Sequence, residues 1–351
     1  MIGLRHFLTM LSVCLFAVAL SSCEQRELTD PTDVHYLRVY LDEKIKNVTD
    51  GFYNESYERP DYNKPQNIRA ALASAQTGQI VAEALLRNHG SDKKGSYIDG
   101  YIGAPAGEYN LVMYQLGSPV TQIKNPDAYH DIAVYTQPVS DRVMNYLPQI
   151  GKVVDRENIV EEPEHILMSR CENILISHSL TVDTLRTSNG EYFTARTAAK
   201  SYYIQLRIFG VEWVSAAAAV LSGMSGSSKM SEENGAVKDD PVHVFFSMNY
   251  ADKNKRASDE VSSAILYSTF TTFGIIPETA SELTLRFEFT KKDGSTQVET
   301  FDLTEEFKTP LAIEKQWLIL DKEIRITRPE STGGMAPGLE GWKDIDSDLP
   351  M

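Results

Sequence analysis

From Val34 onward the apolar residues of this chain recur with a period of two, a pattern that buries its hydrophobic face only when strands pair into sheets. Residues 34–41 are rich in aromatic and β-branched side chains and read as a first strand. Residues 68–74 and 79–86 flank Ala75-Gln76-Thr77-Gly78, where the glycine supplies the positive φ of a tight turn, so the two are expected to form a hairpin. A second series follows at 173–181, 201–209, 242–249, 264–273, 282–290, 296–303 and 317–327, punctuated by Gly210, Gly223, Gly226, Gly274 and Asp293-Gly294. Many short strands with few long helical periods predict an all-β fold of packed sheets.

Three segments interrupt the pattern. Ser140 is an N-cap candidate ahead of Val143, Met144 and Leu147, which predicts a short helical turn. Residues 148–163, with prolines at both ends, Gly151 and the acids Glu157, Glu161 and Glu162, read as a linker. Residues 213–221 contain four consecutive alanines, which favour helix, yet Val211 and the Gly/Ser-rich run 222–228 around them favour a strand, and strand is the expectation. Residues 329–351 hold four glycines and three prolines and predict a flexible, solvated tail.

The N-terminus carries an address. Arg5 and His6 precede a nearly continuous apolar run at 7–20, about 21 Å of helix against the ~30 Å hydrocarbon core that a spanning segment must cross. The run therefore reads as the core of a signal peptide and leads into Leu20-Ser21-Ser22-Cys23, which resembles the bacterial lipobox. That resemblance implies cleavage after residue 22 and lipid attachment at Cys23. Each buried methylene contributes about 0.8 kcal/mol, so two or three acyl chains hold a protein on the bilayer without spanning it. With Cys14 lost and Cys23 lipidated, Cys171 is the remaining thiol, no intrachain disulfide can form, and the core alone must hold the fold.

Composition excludes several function classes. A formal charge of -15, with no basic patch, argues against nucleic acid as a partner. The 7 histidines show neither helical ligand spacing nor a His-Glu-x-x-His pattern, and no Gly-x-Ser-x-Gly elbow, phosphate loop or Cys-x-x-Cys is present. No catalytic residue, metal site or cofactor is expected. Tyr53, Tyr57 and Tyr62, in the polar, proline-containing stretch 51–65, are the candidate ligand-contacting aromatics: they can stack on a sugar or simply tie down a long loop.

Several segments together resemble the fimbrillin superfamily of surface lipoproteins and pilus subunits of anaerobic bacteria. They are the lipobox, the Pro105-Ala106-Gly107-Glu108-Tyr109 turn into 110–114, the run from Val214 to Met224, the segment from Ser268 to Gly274, and the closing strand from Leu318 to Ile326. The resemblance implies two transthyretin-like β-sandwich domains in tandem, export to the outer membrane at the cell surface, and assembly by adding a strand of one subunit to an exposed sheet edge of another. It places a signal peptide at 1–22, a tether at 23–33, sandwich domains at 34–157 and 158–328, and the tail at 329–351. Polymerising stalk subunits of the superfamily lose an N-terminal strand by proteolysis. The first strand here begins at Val34, close to Cys23, so an anchor or accessory subunit of a pilus or adhesin is expected, without enzymatic activity. A glycan-binding surface lipoprotein using the loop tyrosines is the alternative.

Overall fold

The computed structural model describes residues 33–42, 64–179, 181–232, 235–238, 240–254, 262–276 and 283–329. Strands dominate. The first are β1 (Asp33–Leu41), β2 (Ile68–Ser74), β3 (Ile80–Leu86), β4 (Asn88–Asp92), β5 (Gly95–Ala104), β6 (Gly107–Gln115), β7 (Thr121–Lys124) and β8 (Ala133–Thr136). Helical turns α1 (Asp141–Met144) and α2 (Ile150–Val153) come next, then β9 (Ile159–Val160), β10 (Leu167–Ile176), β11 (Asp183–Thr184) and β12 (Phe193–Thr197). The remainder are β13 (Lys200–Phe209), β14 (Val214–Ser225), β15 (Ser227–Lys229), β16 (Pro241–Ser247), β17 (Asn249–Asn254), β18 (Ser263–Thr272), β19 (Thr284–Lys291), β20 (Thr296–Asp302) and β21 (Trp317–Arg325).

The first half is a nine-stranded sheet of order β3-β2-β6-β10-β12-β1-β5-β4, with β11 beside β1. It folds over on itself, because inward residues from both ends share one core: Leu37 and Val39 of β1, Ile68 and Leu72 of β2, Ile98 and Ile102 of β5, Leu111 and Met113 of β6. Only Arg87 separates β3 from β4, so the chain itself joins the two ends of the sheet. The expected hairpin forms with Gly78 at φ +70°. The Pro105–Tyr109 turn closes by a hydrogen bond of 3.0 Å that the Tyr109 hydroxyl donates to the Pro105 carbonyl. Gly107 leaves room for it, since a Cβ would lie 3.0 Å from the folded-back Tyr109 hydroxyl and 3.1 Å from its ring.

The second half stacks a four-stranded sheet, β17-β18-β13-β21, on a five-stranded one, β20-β19-β14-β16-β9. Between them lie Ile204, Leu206, Leu221, Phe246, Phe270, Phe287, Phe289 and Leu318. The alanine run is strand, as expected. Ala217 and Ala219 face this core, while Ala218 on the opposite face packs with Met144, Leu147, Ile150 and Ile159. Small side chains let β14 be covered closely on both faces, and that packing overrides helix propensity.

Residues 148–163 are therefore not a linker. Ser140 caps α1 as expected, accepting from the Val143 amide, α2 continues the cover, and β9 extends the sheet itself, pairing in parallel with β16. Glu288 of β19, 1% exposed, fixes this cover by accepting hydrogen bonds from the amides of Gln149 (2.9 Å) and Ile150 (2.8 Å). Nor does the expected break between 157 and 158 follow the strand pairing. β10 pairs with β6 and β12 with β1, so 167–197 returns to the first sheet before β13 enters the second half. Each strand goes where its register buries its apolar face, which sequence order does not dictate. A three-stranded sheet, β15-β8-β7, and a core containing Val112, Tyr114, Ile132, Met230 and Phe273 fasten the halves together.

Candidate functional site

The strand that begins the described chain is an interior one. β1 pairs antiparallel with β5 in unbroken register from Asp33↔Ala104 to Tyr40↔Tyr97. On its other side it runs parallel to β11 through His35 and Tyr36, and to β12 through Val39, Tyr40 and Leu41. Period-two alternation sends His35, Leu37 and Val39 inward, and Leu37 and Val39 have no solvent exposure. At its start, the Asp33 carboxylate accepts from His178 Nδ1 at 2.8 Å and from the Ser179 amide at 3.3 Å. The His178 hydrogen bond, with help from Ser179, holds Asp33 below the usual carboxylate range.

The outward residues of β1 are clamped as firmly as the inward ones are buried. The Tyr36 hydroxyl donates to the Asp99 carboxylate of β5. Arg38 donates to the Tyr36 oxygen from Nε at 3.0 Å and Nη2 at 2.9 Å, and also reaches Asp99 at 3.3 Å. Its guanidinium lies 3.7 Å over the centre of the Tyr97 ring. Tyr40 donates to Asp92 of β4 at 2.7 Å. Burial, reinforced by the bond to Asp99, pushes the Tyr36 phenol up to about 12. Burial opposes the Arg38 charge, but its hydrogen bonds with Tyr36 and Tyr40 outweigh that and raise its pKa. β1 is thus held by backbone ladders on two sides, by the core beneath and by a polar aromatic network above.

The second half offers what β1 lacks, unpaired edges. Among the described residues β21 pairs with β13 alone and ends its sheet. Opposite Gln205 and Arg207 it bulges, pairing Ile319 and then Glu323, so that 320–322 loop out of register. A notch of about 290 Å³ opens there, lined by Gln205, Arg207, Ile265, Ile319, Lys322 and Glu323. Charges guard this edge: Arg207 lies 3.6 Å from Glu323 and Lys322 3.1 Å from Glu306. Such charges discourage indiscriminate pairing while leaving backbone groups open to a complementary strand. β20, at the end of the other sheet, is a second edge with mainly polar outward residues.

Of the residues singled out from sequence, Cys23, Tyr53, Tyr57 and Tyr62 lie outside the described residues. Cys171 sits on β10 as a half-buried free thiol whose pKa burial pushes up, the setting of an inert cysteine rather than a nucleophile. Among the described residues no three His, Cys, Asp or Glu side chains gather as a metal site. The network of Tyr36, Arg38, Asp99 and Tyr97 was not anticipated. Its signal was present in the outward members of 34–41, where Tyr36, Arg38 and Tyr40 alternate with apolar residues, but their partners are some sixty residues away.

A family model described as a domain of unknown function, DUF5119, matches residues 87–247. The chain is 22% identical to a Bacteroides ovatus protein named "Putative fimbrium anchoring subunit Fim4B", over 98% of each chain. The crystal structure of a "putative adhesin", also from Bacteroides ovatus, superposes with a TM-score of 0.55 at 18% identity, covering 88% of this chain and 98% of that one, and it shows the same fold. The fimbrial anchor protein Mfa2 of Porphyromonas gingivalis aligns more loosely, at a TM-score of 0.46 and 10% identity over 83% of this chain and 90% of that one.

Proposed function

We propose that this chain belongs to the fimbrillin superfamily and serves as an anchor or accessory subunit of a pilus at the cell surface. The observation that carries this reading is the seat of β1. A subunit that receives a partner's strand in the middle of its sheet must first open a slot there. Here that slot is filled by the chain's own strand, with Leu37 and Val39 in the core and Arg38 and Tyr36 bound to Asp99 outside. Extracting it would expose the whole inner row of β1 and break the network at once. The chain then terminates strand addition on that side rather than extending it.

Contact with a pilus-type subunit is made instead at an open edge of the second half. β21 is the favoured edge: its bulge at 320–322 and the notch beside Ile319 give alternate side chains of an added strand a place to dock. Acyl chains on Cys23 hold the protein in the outer membrane, and the role is one of grip, with no catalytic step. Affinity isolation of the native protein from detergent-solubilised membranes tests this. A pilus-type subunit in the eluate and a diacylated Cys23 peptide by mass spectrometry are expected. Recovery of the protein alone, with a free N-terminus upstream of residue 23, would overturn the reading.

A further inference from the structure

The outer face of the sheet around β1 carries more than a clamp. Antiparallel register places Tyr36 opposite Tyr101, Arg38 opposite Asp99 and Tyr40 opposite Tyr97. Tyr192, just before β12, completes the row, its ring 5.9 Å from Tyr40 and 5.3 Å from the Arg38 guanidinium. Gly90 on β4 makes the surface flat: a Cβ there would come within 2.4 Å of the Tyr97 ring, which lies across that backbone. Tyr101 is 57% exposed and meets Tyr36 edge to face at 5.6 Å.

The chemistry of this face selects among ligands. Arg38 pairs with Asp99 at 3.3 Å and Asp92 at 3.5 Å, and Arg186, 4.1 Å over the Tyr192 ring, makes two cations against two carboxylates, so the face carries no net charge to hold an ion. Its remaining capacity is hydroxyl and ring surface. Rings locked by hydrogen bonds, flanked by carboxylate and guanidinium, suit a neutral ligand with a C–H face to stack and a rim of hydroxyls to bond. We infer that the Tyr36–Arg38–Tyr97–Asp99–Tyr101–Tyr192 face binds an uncharged oligosaccharide, with Tyr101 as the stacking platform. This stands apart from strand addition at the second half, so either can fail alone.

The full chain, probed on an array of neutral hexose and N-acetylhexosamine oligosaccharides with sialylated and sulfated counterparts, tests the assignment. Binding to at least one neutral glycan is expected, weakened about tenfold or more by Tyr101→Ala and restored by Tyr101→Phe. Val81→Ala, an exposed change outside the face, should leave binding intact, and thermal unfolding of Tyr101→Ala should match the unsubstituted chain. The assignment is overturned by no neutral glycan bound, by affinity unchanged in Tyr101→Ala, by binding confined to anionic glycans, or by a protein captured on this face in place of glycan.

Discussion

In the first half the chain runs β3 straight into β4, so the two end strands of its sheet form one continuous segment, whereas in the second half, among the described residues, β21, β20 and β17 end their sheets as separate strands. The outer faces differ in the opposite sense. The five-stranded sheet of the second half is roofed by α1 and α2, while the sheet around β1 presents tyrosines and charges directly. One half therefore ends its sheet in a single bent segment and is open on a face; the other is roofed on a face and ends its sheets in separate edge strands. Backbone groups at an edge recognise a strand, and side chains on a face recognise a shape or a chemical class. The two halves are suited to different partners.

Four substitutions break or sharpen this contrast. The largest effect is expected of Leu37→Asp, which puts a carboxylate into the core beneath β1 and should cost more than about 4 kcal/mol, enough to unfold the first half. Because the core around Val112, Tyr114 and Met230 spans both halves, urea denaturation should show the second half destabilised with it. A second half that keeps its own unchanged transition would show that the halves are separable. Glu288→Ala attacks the roof, stranding the amides of Gln149 and Ile150, and should cost roughly 2–5 kcal/mol by the same measurement.

Acid tests the junction. His165 lies where the chain crosses back to the first sheet, bonded at 2.8 Å to both Thr197 and Ser201. Burial lowers its pKa to about 4. The unfolded chain therefore takes up a proton first as pH falls through about 6.5, so stability is complete above that pH and is lost on the way down to about 4. The loss should reach up to about 3 kcal/mol, and His165→Gln should flatten the curve between those limits. The smallest effect belongs to Asp99→Asn, which weakens the bonds of Tyr36 and Arg38 on a partly solvated face and should cost about 1 kcal/mol in thermal unfolding.

Much of the fold was legible because period two is a local signal. The hairpin at Gly78, the turn closed by Tyr109 and the strands from 200 onward lie close to where alternation and turn residues place them. Sheet membership was not legible. β10 and β12 look like the opening of a second domain in sequence, yet their inward rows, Leu167, Ile174 and Ile176, Phe193 and Ala195, complete the first core. The stretch 148–163 has the composition of a linker, but its few apolar residues, Ile150 and Ile159 above all, match the small-residue face of β14. The polar network failed to show for the same reason: Tyr36, Arg38 and Asp99 meet only once β1 and β5 have set their register.

A photo-reactive amino acid at Lys322, on the open β21 edge, tests the central claim most directly when it is activated on intact cells. A covalent product containing an extended segment of a pilus-type subunit, absent when the same probe replaces Thr194 beside the buried β1, is the predicted result. A product at position 194 with none at 322 would mean that partners reach the slot of β1 instead, and would contradict the account.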